Sequence, residues 1–313
     1  MFKQILVPLD GSTRAEQALP VATRLARASS GSIILMQVAN FPMDYGGGYT
    51  QAPLMTEQAI ETELDNLDAY LKKVATSDTL AGISVKTEAM FGQPLQDILA
   101  VVESRRADLI VICSHGRTGL KRWALGSVAQ ALAHQSPVPL LVIREGGQVT
   151  AISSGAITNP VCALVALDGS PFAETALIPA ANLVAALAAP NEAILHLAHV
   201  VTHIGDEALQ SAKKYIADVT EQLQLKLKNL NLSITWSLLR DRDVAGSIVD
   251  LAEHSARGTN PEQVHSCDLI AMSTHGRGGL ERLMLGSITE RVLHATKLPM
   301  LIVRPQRTAA YGS

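Results

Sequence analysis

The chain has little of what several functional classes require. Aromatic residues make up 4% of its 313 positions, and 26 lysines and arginines are outnumbered by 29 acidic residues. Aromatic stacking platforms and basic patches are the usual means of binding nucleic acid, so we expect no nucleic-acid partner. The three cysteines, Cys113, Cys162 and Cys267, are widely spaced without a CxxC pair. We therefore expect reduced thiols, and the lack of His, Cys and Asp clusters at ligand spacing predicts no metal site.

Segments that direct a chain to a membrane or out of the cell are also lacking. The sequence MFKQILVPLDGS has no cationic region followed by a long apolar run, and no run of about 18 consecutive apolar residues occurs elsewhere. We therefore expect a cytoplasmic protein with no membrane partner. The GxxxxGK[ST] motif, a strand-bound GxGxxG and the GxSxG elbow are missing as well, so the familiar phosphate and nucleophile motifs do not apply.

What the chain does contain is an internal repeat. The stretch from Cys113 to Arg144 returns without a gap as Ser273 to Arg304, with thirteen of thirty-two positions identical. A length of 313 residues suits two domains of about 150 residues each. We predict a first domain over 1–145, a linker over 146–160 that is rich in Gly, Ser and Thr, and a second domain over 161–307.

Apolar strands alternate with amphipathic helices in each half, which predicts βαβ units and a mostly parallel sheet. The fold class is therefore α/β, with two tandem flavodoxin-like or Rossmann-like domains of five strands each and helices on both faces. The predicted strands are Gln4–Leu9, Ser32–Val38, Ile83–Met90, Leu109–Cys113 and Leu140–Ile143, then Ala163–Leu167, Ile194–Val200, Leu232–Leu238, Leu269–Ser273 and Leu301–Val303. The predicted helices include Arg14–Ala28, Thr56–Ala75, Leu95–Glu103, Val128–Gln135 and Val244–Glu253.

The loop inside the repeat has the pattern of a phosphate site. In each half a strand leads into His-Gly-Arg. Nine residues follow the glycine of this motif, and then a Gly-Ser pair opens a helix. Glycine lets backbone N–H groups approach an anion, and a helix start offers unpaired N–H groups and the positive end of the dipole. The competing interpretation is that Ser127 with Gln130, and Ser287 with Glu290, form capping boxes that merely start the helices. His134 and His294, inside those helices, are expected to be partly buried structural residues.

An aspartate ends the first strand of each half, at Asp10 and Asp168. Ligands of open α/β sheets bind at this carboxyl edge, where the strand order reverses. A carboxylate there can accept a hydrogen bond from a ribose hydroxyl or an adenine amino group. A turn or helix-cap role is the alternative.

These residues resemble the nucleotide-binding members of the universal stress protein family, in their tandem two-domain form, over nearly the whole chain. That family carries G-x-x-G, nine residues and then G-S/T after the fourth strand, with an aspartate at the end of the first. The resemblance implies the strand order 3-2-1-4-5 in each domain and final strands that meet between domains, as in a covalent version of the family's homodimer. It also implies ATP, AMP or ADP as ligand. Because no metal-ligand cluster is present in the sequence, any metal is expected to be Mg²⁺ held mainly by the ligand's phosphates.

The resemblance assigns a matching set of nucleotide-binding positions to each half. Val38 and Val200 would give a backbone contact to adenine. The two sets are Pro8, Asp10, Val38, Cys113, His115, Gly116, Arg117, Gly126, Ser127 and Val128, and Ala166, Asp168, Val200, Ser273, His275, Gly276, Arg277, Gly286, Ser287 and Ile288.

Both halves depart from the family pattern at the first glycine, where Cys113 and Ser273 stand. A Cβ atom here would crowd the ribose or phosphate, and the hydroxyl of Ser273 is the better hydrogen-bond partner, which favours the second site.

Three functions stay open at this point. The first is a regulatory stress-response protein that binds ATP or AMP, with an unidentified protein partner. The second is a slow ATPase, which ranks lower because no residue is an obvious general base or other catalytic group. The third is a nucleotide-free scaffold, which Cys113 and Ser273 favour. A further homodimer is left open.

Overall fold

The computed structural model describes residues 2–39, 57–114, 125–144, 160–202, 205–254, 266–274 and 285–305. The first half contains the strands β1 (Gln4–Leu9), β2 (Ser32–Ala39), β3 (Ser84–Phe91), β4 (Leu109–Cys113) and β5 (Leu140–Ile143). Its helices are α1 (Ala18–Ser29), α2 (Glu57–Ala75), α3 (Pro94–Arg105) and α4 (Ser127–Gln135), with short 3₁₀ turns at Ala15–Gln17 and Asp78–Leu80.

The second half repeats this order. Its strands are β6 (Val161–Leu167), β7 (Ala193–Val201), β8 (Leu232–Arg240), β9 (Leu269–Ser273) and β10 (Met300–Val303). Its helices are α5 (Pro171–Glu174), α6 (Leu177–Ala188), α7 (Asp206–Lys226), α8 (Val244–His254) and α9 (Ser287–Ala295). The predicted 146–160 linker lies, apart from its last residue, outside the described residues.

All ten strands form one continuous sheet, in the order β3-β2-β1-β4-β5-β10-β9-β6-β7-β8. Within each half the neighbouring strands are parallel, so the expected order 3-2-1-4-5 is confirmed twice. Parallel strands need crossover connections, and the alternating helices supply them on both faces of the sheet. The predicted α/β class with two tandem domains is therefore confirmed.

The two halves meet where β5 pairs with β10, as the sequence resemblance implies. This is the antiparallel step of the sheet, with Leu141 opposite Leu301. Every residue of both four-residue strands is buried. Because the two halves run in opposite directions, the carboxyl edge of the first half lies on the same side of the combined sheet as the amino edge of the second.

The core consists of two apolar layers, one on each face of the sheet. Ile5 belongs to one layer and Leu6 to the other, because successive side chains of a strand point to opposite faces. The strands β1, β4 and β5 carry apolar residues at nearly every position, and this suits a parallel sheet that is covered on both sides. Both layers contain residues of both halves, so the core is shared across the β5–β10 joint.

The element boundaries differ from the sequence predictions mainly at the ends. The first predicted helix, Arg14–Ala28, is a 3₁₀ turn followed by α1. That helix ends where Ser30 adopts a left-handed conformation with φ of 48°. The strand β8 continues to Arg240, two residues beyond its predicted end at Leu238, because its backbone stays paired with β7 as far as Val201.

One stretch among the described residues, Pro171–Ala188, is long and apolar enough to cross a membrane by length and composition. The sequence criterion of consecutive apolar residues misses this stretch because Glu174, Thr175 and Asn182 interrupt it. Within the folded protein 56% of this stretch is buried, and its α6 portion packs on β6, β7 and α1. This burial is that of a core helix.

A buried histidine joins β7 to β8 in the second half. The Nδ1 atom of His196 lies 2.8 Å from the hydroxyl of Thr235, and its Nε2 atom lies 3.0 Å from the hydroxyl of Ser237. Burial lowers the pKa of His196 from 6.5 to about 4. The neutral ring is therefore the form that the folded protein accommodates.

This burial predicts a loss of stability in mild acid. Below pH 6.5 the unfolded chain protonates His196, whereas the folded protein does not until about pH 4. The unfolded state thus binds more protons in this window, and the free energy of unfolding should fall by up to about 3 kcal/mol as the pH drops through it. We expect urea titrations between pH 7.5 and 4.5 to show a shallower pH dependence for His196→Gln. The exposed His254→Gln is the control, and equal slopes for wild type and His196→Gln would contradict the prediction.

A second histidine links the two halves on one side of the sheet. The Leu285 N–H donates to Nδ1 of His134, in the last turn of α4, over 3.1 Å. Nearby, the Arg304 guanidinium donates to the backbone C=O of Gln135 over 3.3 Å. His134 is partly buried as expected, but its counterpart His294 in α9 is exposed, so the expectation for His294 was wrong. The two repeats therefore use the same residue type differently.

We predict that His134→Ala destabilises the protein and that His294→Ala does not. Leu285 is buried, and removing the His134 ring takes away the acceptor of its N–H group. We expect this loss to lower the free energy of unfolding by about 1–2 kcal/mol. Both substitutions raise helix propensity equally, so His294→Ala is a matched control. Urea unfolding at pH 7.5 measures the difference, and equal midpoints for the two variants would rule out a stabilising role for this contact.

Candidate functional site

A cavity of about 220 Å³ lies at the carboxyl edge of the first half, between the ends of β1, β2 and β4 and the start of α4. This is the point where β1 has β2 on one side and β4 on the other, the place where open α/β sheets bind ligands. The lining residues are Pro8, Leu9, Asp10, Ala15, Met36, Val38, Pro94, Ile98, Ile112, Cys113, Ser114, Gly126, Ser127, Val128 and Ala129. A larger groove of about 590 Å³ lies on another face, against α1 and α6, and contains none of the predicted residues.

The start of α4 differs from the capping box that the sequence allowed. Gly126 is the N-cap residue, with φ −61° and ψ 148°, and no side chain caps the helix. Ser127 is the first helical residue, so its hydroxyl does not take the capping role. The same arrangement recurs at α9, where Gly286 is the N-cap and Ser287 begins the helix. The capping-box interpretation of both serines is therefore wrong.

This uncapped start leaves backbone donors without helical acceptors. The first bond of α4 runs from the Gln130 N–H to the Gly126 C=O, over 2.9 Å. The N–H groups of Ser127, Val128 and Ala129 precede it and have no acceptor within the helix. Together with the positive end of the helix dipole they favour an anion at this position. In the second half Ser287 and Ile288 occupy the same positions.

Two residues that sequence reasoning missed fix this helix start to the sheet. The Gly126 N–H donates to the Ser114 C=O over 2.7 Å, and the Ser114 N–H donates to the Ile143 C=O over 2.8 Å. Thr274 makes the same pair of bonds with Gly286 and Val303, over 2.7 and 2.9 Å. The serine or threonine before each His-Gly pair was the available sequence signal. These bonds join the two ends of the repeated loop at its base.

Asp10 lines the cavity and also shapes the turn after β1. Its Oδ1 atom accepts hydrogen bonds from the Ser12 N–H over 3.0 Å and from the Ser12 hydroxyl over 2.6 Å. Asp168 does the same with Ser170, over 2.9 and 2.6 Å. The turn role that the sequence left open is therefore present in both halves. The carboxylate is at the same time held at the mouth of the cavity.

The rest of the cavity wall is apolar. Met36 and Val38 come from β2, Ile112 from β4, and Ile98 from α3. Of these, only Val38 was predicted from the sequence. The others are ordinary core-type residues, and only the tertiary fold brings them to one surface.

The two halves differ at the end of the fourth strand. Cys113 is buried and lines the cavity of the first half. In the second half the hydroxyl of Thr175 donates to that of Ser273 over 3.4 Å, and the hydroxyl of Thr289 donates to the Ser273 C=O over 2.8 Å. Ala129 stands where the second half has Thr289, so this additional bond is a feature of the second half.

The structure brings together most of the predicted residues that it describes. Pro8, Asp10, Val38, Cys113, Gly126, Ser127 and Val128 all line the one cavity. Ala166, Asp168, Val200, Ser273, Gly286, Ser287 and Ile288 occupy the matching strand ends and helix start of the second half. His115, Gly116, Arg117, His275, Gly276 and Arg277 lie outside the described residues, as does the loop over 42–53.

Comparison with known proteins agrees with this architecture. The universal stress protein family matches residues 1–144 and again residues 163–304. The universal stress protein Rv2005c of Mycobacterium tuberculosis is 30% identical over 224 residues, which cover 71% of this chain and 70% of that protein. A universal stress protein of Mycolicibacterium smegmatis is 25% identical over 315 residues, covering 96% and 97% of the two chains.

A solved structure supports the tandem fold. A universal stress protein from Archaeoglobus fulgidus superposes with a TM-score of 0.70 over 96% of this chain and 98% of that one, at 20% identity. At this identity the likeness bears on the fold alone. Taken with the two family matches, it identifies the repeat as a duplicated domain. This chain therefore belongs to the universal stress protein family and contains two tandem copies of the family's domain.

Proposed function

We propose that the protein is a stress-response regulator that binds an adenine nucleotide, ATP or AMP, at the carboxyl edge of each domain's sheet. The observation that carries the proposal is the first-domain cavity, which combines an apolar wall, a carboxylate and an uncapped helix start. These are the three surfaces that a base, a ribose and a phosphate require.

In this proposal the adenine packs between apolar side chains of the cavity. Met36, Ile98 and Ile112 offer the wall, and Val38, at the end of β2, presents its backbone to the edge of the base. The Asp10 carboxylate, already oriented by Ser12, accepts a hydrogen bond from a ribose hydroxyl. A charged acceptor makes this bond stronger than a neutral one.

The phosphates then lie against the N-terminus of α4. The backbone N–H groups of Ser127 and Val128 have no helical acceptor and supply donors, and the helix dipole supplies favourable charge. Among the described residues, no three His, Cys, Asp or Glu side chains are grouped closely enough to hold a metal. In this proposal any Mg²⁺ is held mainly by the phosphates, the usual arrangement for this small, strongly hydrated ion.

The second domain has the same strand ends and the same helix start, so the proposal extends to it. Asp168 takes the place of Asp10, and Gly286 with Ser287 takes that of Gly126 with Ser127. The hydroxyl of Ser273 is a stronger hydrogen-bonding group than the thiol of Cys113. We propose that the two sites differ in affinity for this reason.

A charge placed at the helix start tests the phosphate position. We expect Gly126→Glu to lower nucleotide affinity in the first domain by about 100-fold or more, because a carboxylate would face the phosphates and occupy their space. Gly205→Glu is a matched control, since Gly205 is the N-cap of α7 with φ −75° and ψ 143° and has open space around an added Cβ. Calorimetry with ATP, ADP and AMP gives the affinities, and mass spectrometry identifies any nucleotide that copurifies.

Gly286→Glu is the corresponding test of the second domain. A Cβ at this position would stand 3.1 Å from the backbone oxygen of Thr274, so circular dichroism must first establish folding. Wild-type protein that retains no nucleotide and binds none at millimolar ATP would refute the proposal. Unchanged binding in the folded double variant would refute the assigned sites.

The role of Asp10 can be tested through the ribose. We expect Asp10→Ala to weaken ATP binding to the first domain by about 1.5–3 kcal/mol, the range for a hydrogen bond to a charged group. The same variant should no longer distinguish ATP from 2′,3′-dideoxy-ATP. Asp10→Asn keeps an oxygen for the turn with Ser12 and serves as the structural control. Both measurements are made in the Gly286→Glu background, and an undiminished preference for ATP over the dideoxy analogue would exclude this contact.

A further inference from the structure

Two cysteines meet at the amino edge of the second domain, away from its proposed nucleotide site. The Sγ atoms of Cys162, in β6, and Cys267, just before β9, lie 2.7 Å apart. A disulfide has a sulfur–sulfur bond of about 2.05 Å, so the side chains already converge on bonding positions. Both thiols are free in this structure.

The backbone around this pair would hold without the cysteines. The Asp268 N–H donates to the Cys162 C=O over 2.8 Å, and the Asp268 carboxylate accepts from the Cys162 N–H over 2.8 Å. The first domain makes the same two bonds between Asp108 and Gln4, over 2.9 and 3.0 Å.

The position that matches Cys267 in the first domain is Ala107. Its N–H bonds to the Val102 C=O just as that of Cys267 bonds to the Ala252 C=O. Since Gln4 and Ala107 make the same backbone hydrogen bonds in the first domain, the backbone does not require two thiols at these positions. Their convergence in one domain only points to chemistry.

The geometry points to a redox site: we propose that Cys162 and Cys267 form an oxidisable dithiol, which a peroxide converts to a disulfide between β6 and the residues just before β9. The step is balanced as two thiols and one hydrogen peroxide giving one disulfide and two waters. The sulfurs together lose two electrons and two protons, and the peroxide O–O bond is broken.

The surroundings of the two thiols indicate which cysteine reacts first with the peroxide. Cys267 is itself buried, but it lies outside β9 and follows the exposed Ser266, so a local opening at this position would bring its sulfur to solvent. Cys162 lies within β6, and the hydrogen bond to Cys267 together with burial raises the pKa of its thiol. Cys267 is therefore the thiol that attacks the peroxide and becomes a sulfenic acid. Cys162 then attacks that sulfur and releases water.

The disulfide would enclose the part of the second domain from β6 to α8 and leave β9, α9 and β10 outside the loop. The two cysteines are 105 positions apart, and most of the second domain's strands and helices lie between them. Cross-links that close long loops restrict the unfolded chain most, so oxidation is expected to raise the stability of this domain. Ser273 and the start of α9 lie at the opposite end of β9 from Cys267. The disulfide is therefore not expected to displace them.

The test uses full-length protein, first reduced and then treated with millimolar hydrogen peroxide for an hour. The remaining thiols are alkylated under denaturing conditions and the digest is analysed by mass spectrometry. We expect a loss of about 2 Da and a peptide that joins Cys162 to Cys267, while Cys113 stays alkylated. The midpoint of thermal unfolding should rise by roughly 5–10 °C and return with dithiothreitol.

Two variants keep the proposal falsifiable. Cys267→Ala reproduces the Ala107 of the first domain, and it should fold, show no peroxide-dependent shift and leave Cys162 alkylated. Cys162→Ala should accumulate a Cys267 sulfenic acid that dimedone traps. The proposal is overturned if Cys162 and Cys267 of the wild type both remain alkylated after peroxide. It is equally overturned if Cys267 proceeds to sulfinic acid without a disulfide, or if the disulfide formed joins Cys113 of two chains.

Discussion

The pairing of β5 with β10 is the contact on which the rest of the molecule depends. Each strand has four buried residues, and in a separate domain each would be an edge with unpaired N–H and C=O groups and exposed apolar side chains. Pairing removes both edges at once and lets the apolar layers on the two faces continue across the joint. The joint also sets the relative direction of the two halves. Because β5 and β10 are antiparallel, the two proposed nucleotide sites lie on opposite edges of the combined sheet.

The repeat has conserved the backbone more closely than the side chains. Both halves use the same bonds at the base of the loop, the same aspartate turn and the same glycine N-cap. The differences are single side chains on this common frame: a thiol at Cys113 and a hydroxyl at Ser273, or a dithiol where the first half has Gln4 and Ala107. Covalent linkage permits this divergence, since each half of the pseudo-symmetric pair is encoded separately.

Much of the fold could be predicted from the sequence, because a covered parallel sheet needs nearly continuous apolar strands with regular breaks. The bounds of β4, β5 and β9 were predicted to the residue for this reason. The start of α4 was not, because Ser127 and Gln130 fit a capping pattern and only the backbone shows that Gly126 occupies the cap. Cap choice depends on tertiary bonds such as that to Ser114, which no local pattern encodes.

The candidate site was predictable in its polar part and not in its apolar part. Asp10, Gly126 and Ser127 are unusual residues at fixed places in a repeat, and they attract notice in the sequence alone. Ile98 and Ile112 resemble any other core residue, and they form one wall of the cavity only when α3 packs against β1 and β2. The proximity of Cys162 and Cys267 was equally hidden, since 105 positions separate them.

The helix α4 connects the proposed phosphate position of the first domain to the second domain. Its first residues face the proposed phosphate position of the first domain, and His134 in its last turn holds the Leu285 N–H at the base of the second domain's loop. Nine helical residues span about 13 Å. The hydrogen bonds within an α-helix keep its two ends at a fixed separation, so α4 sets the distance between its first turn and the Leu285 N–H. The counterpart His294 in α9 is exposed, so this tie between the two halves is asymmetric.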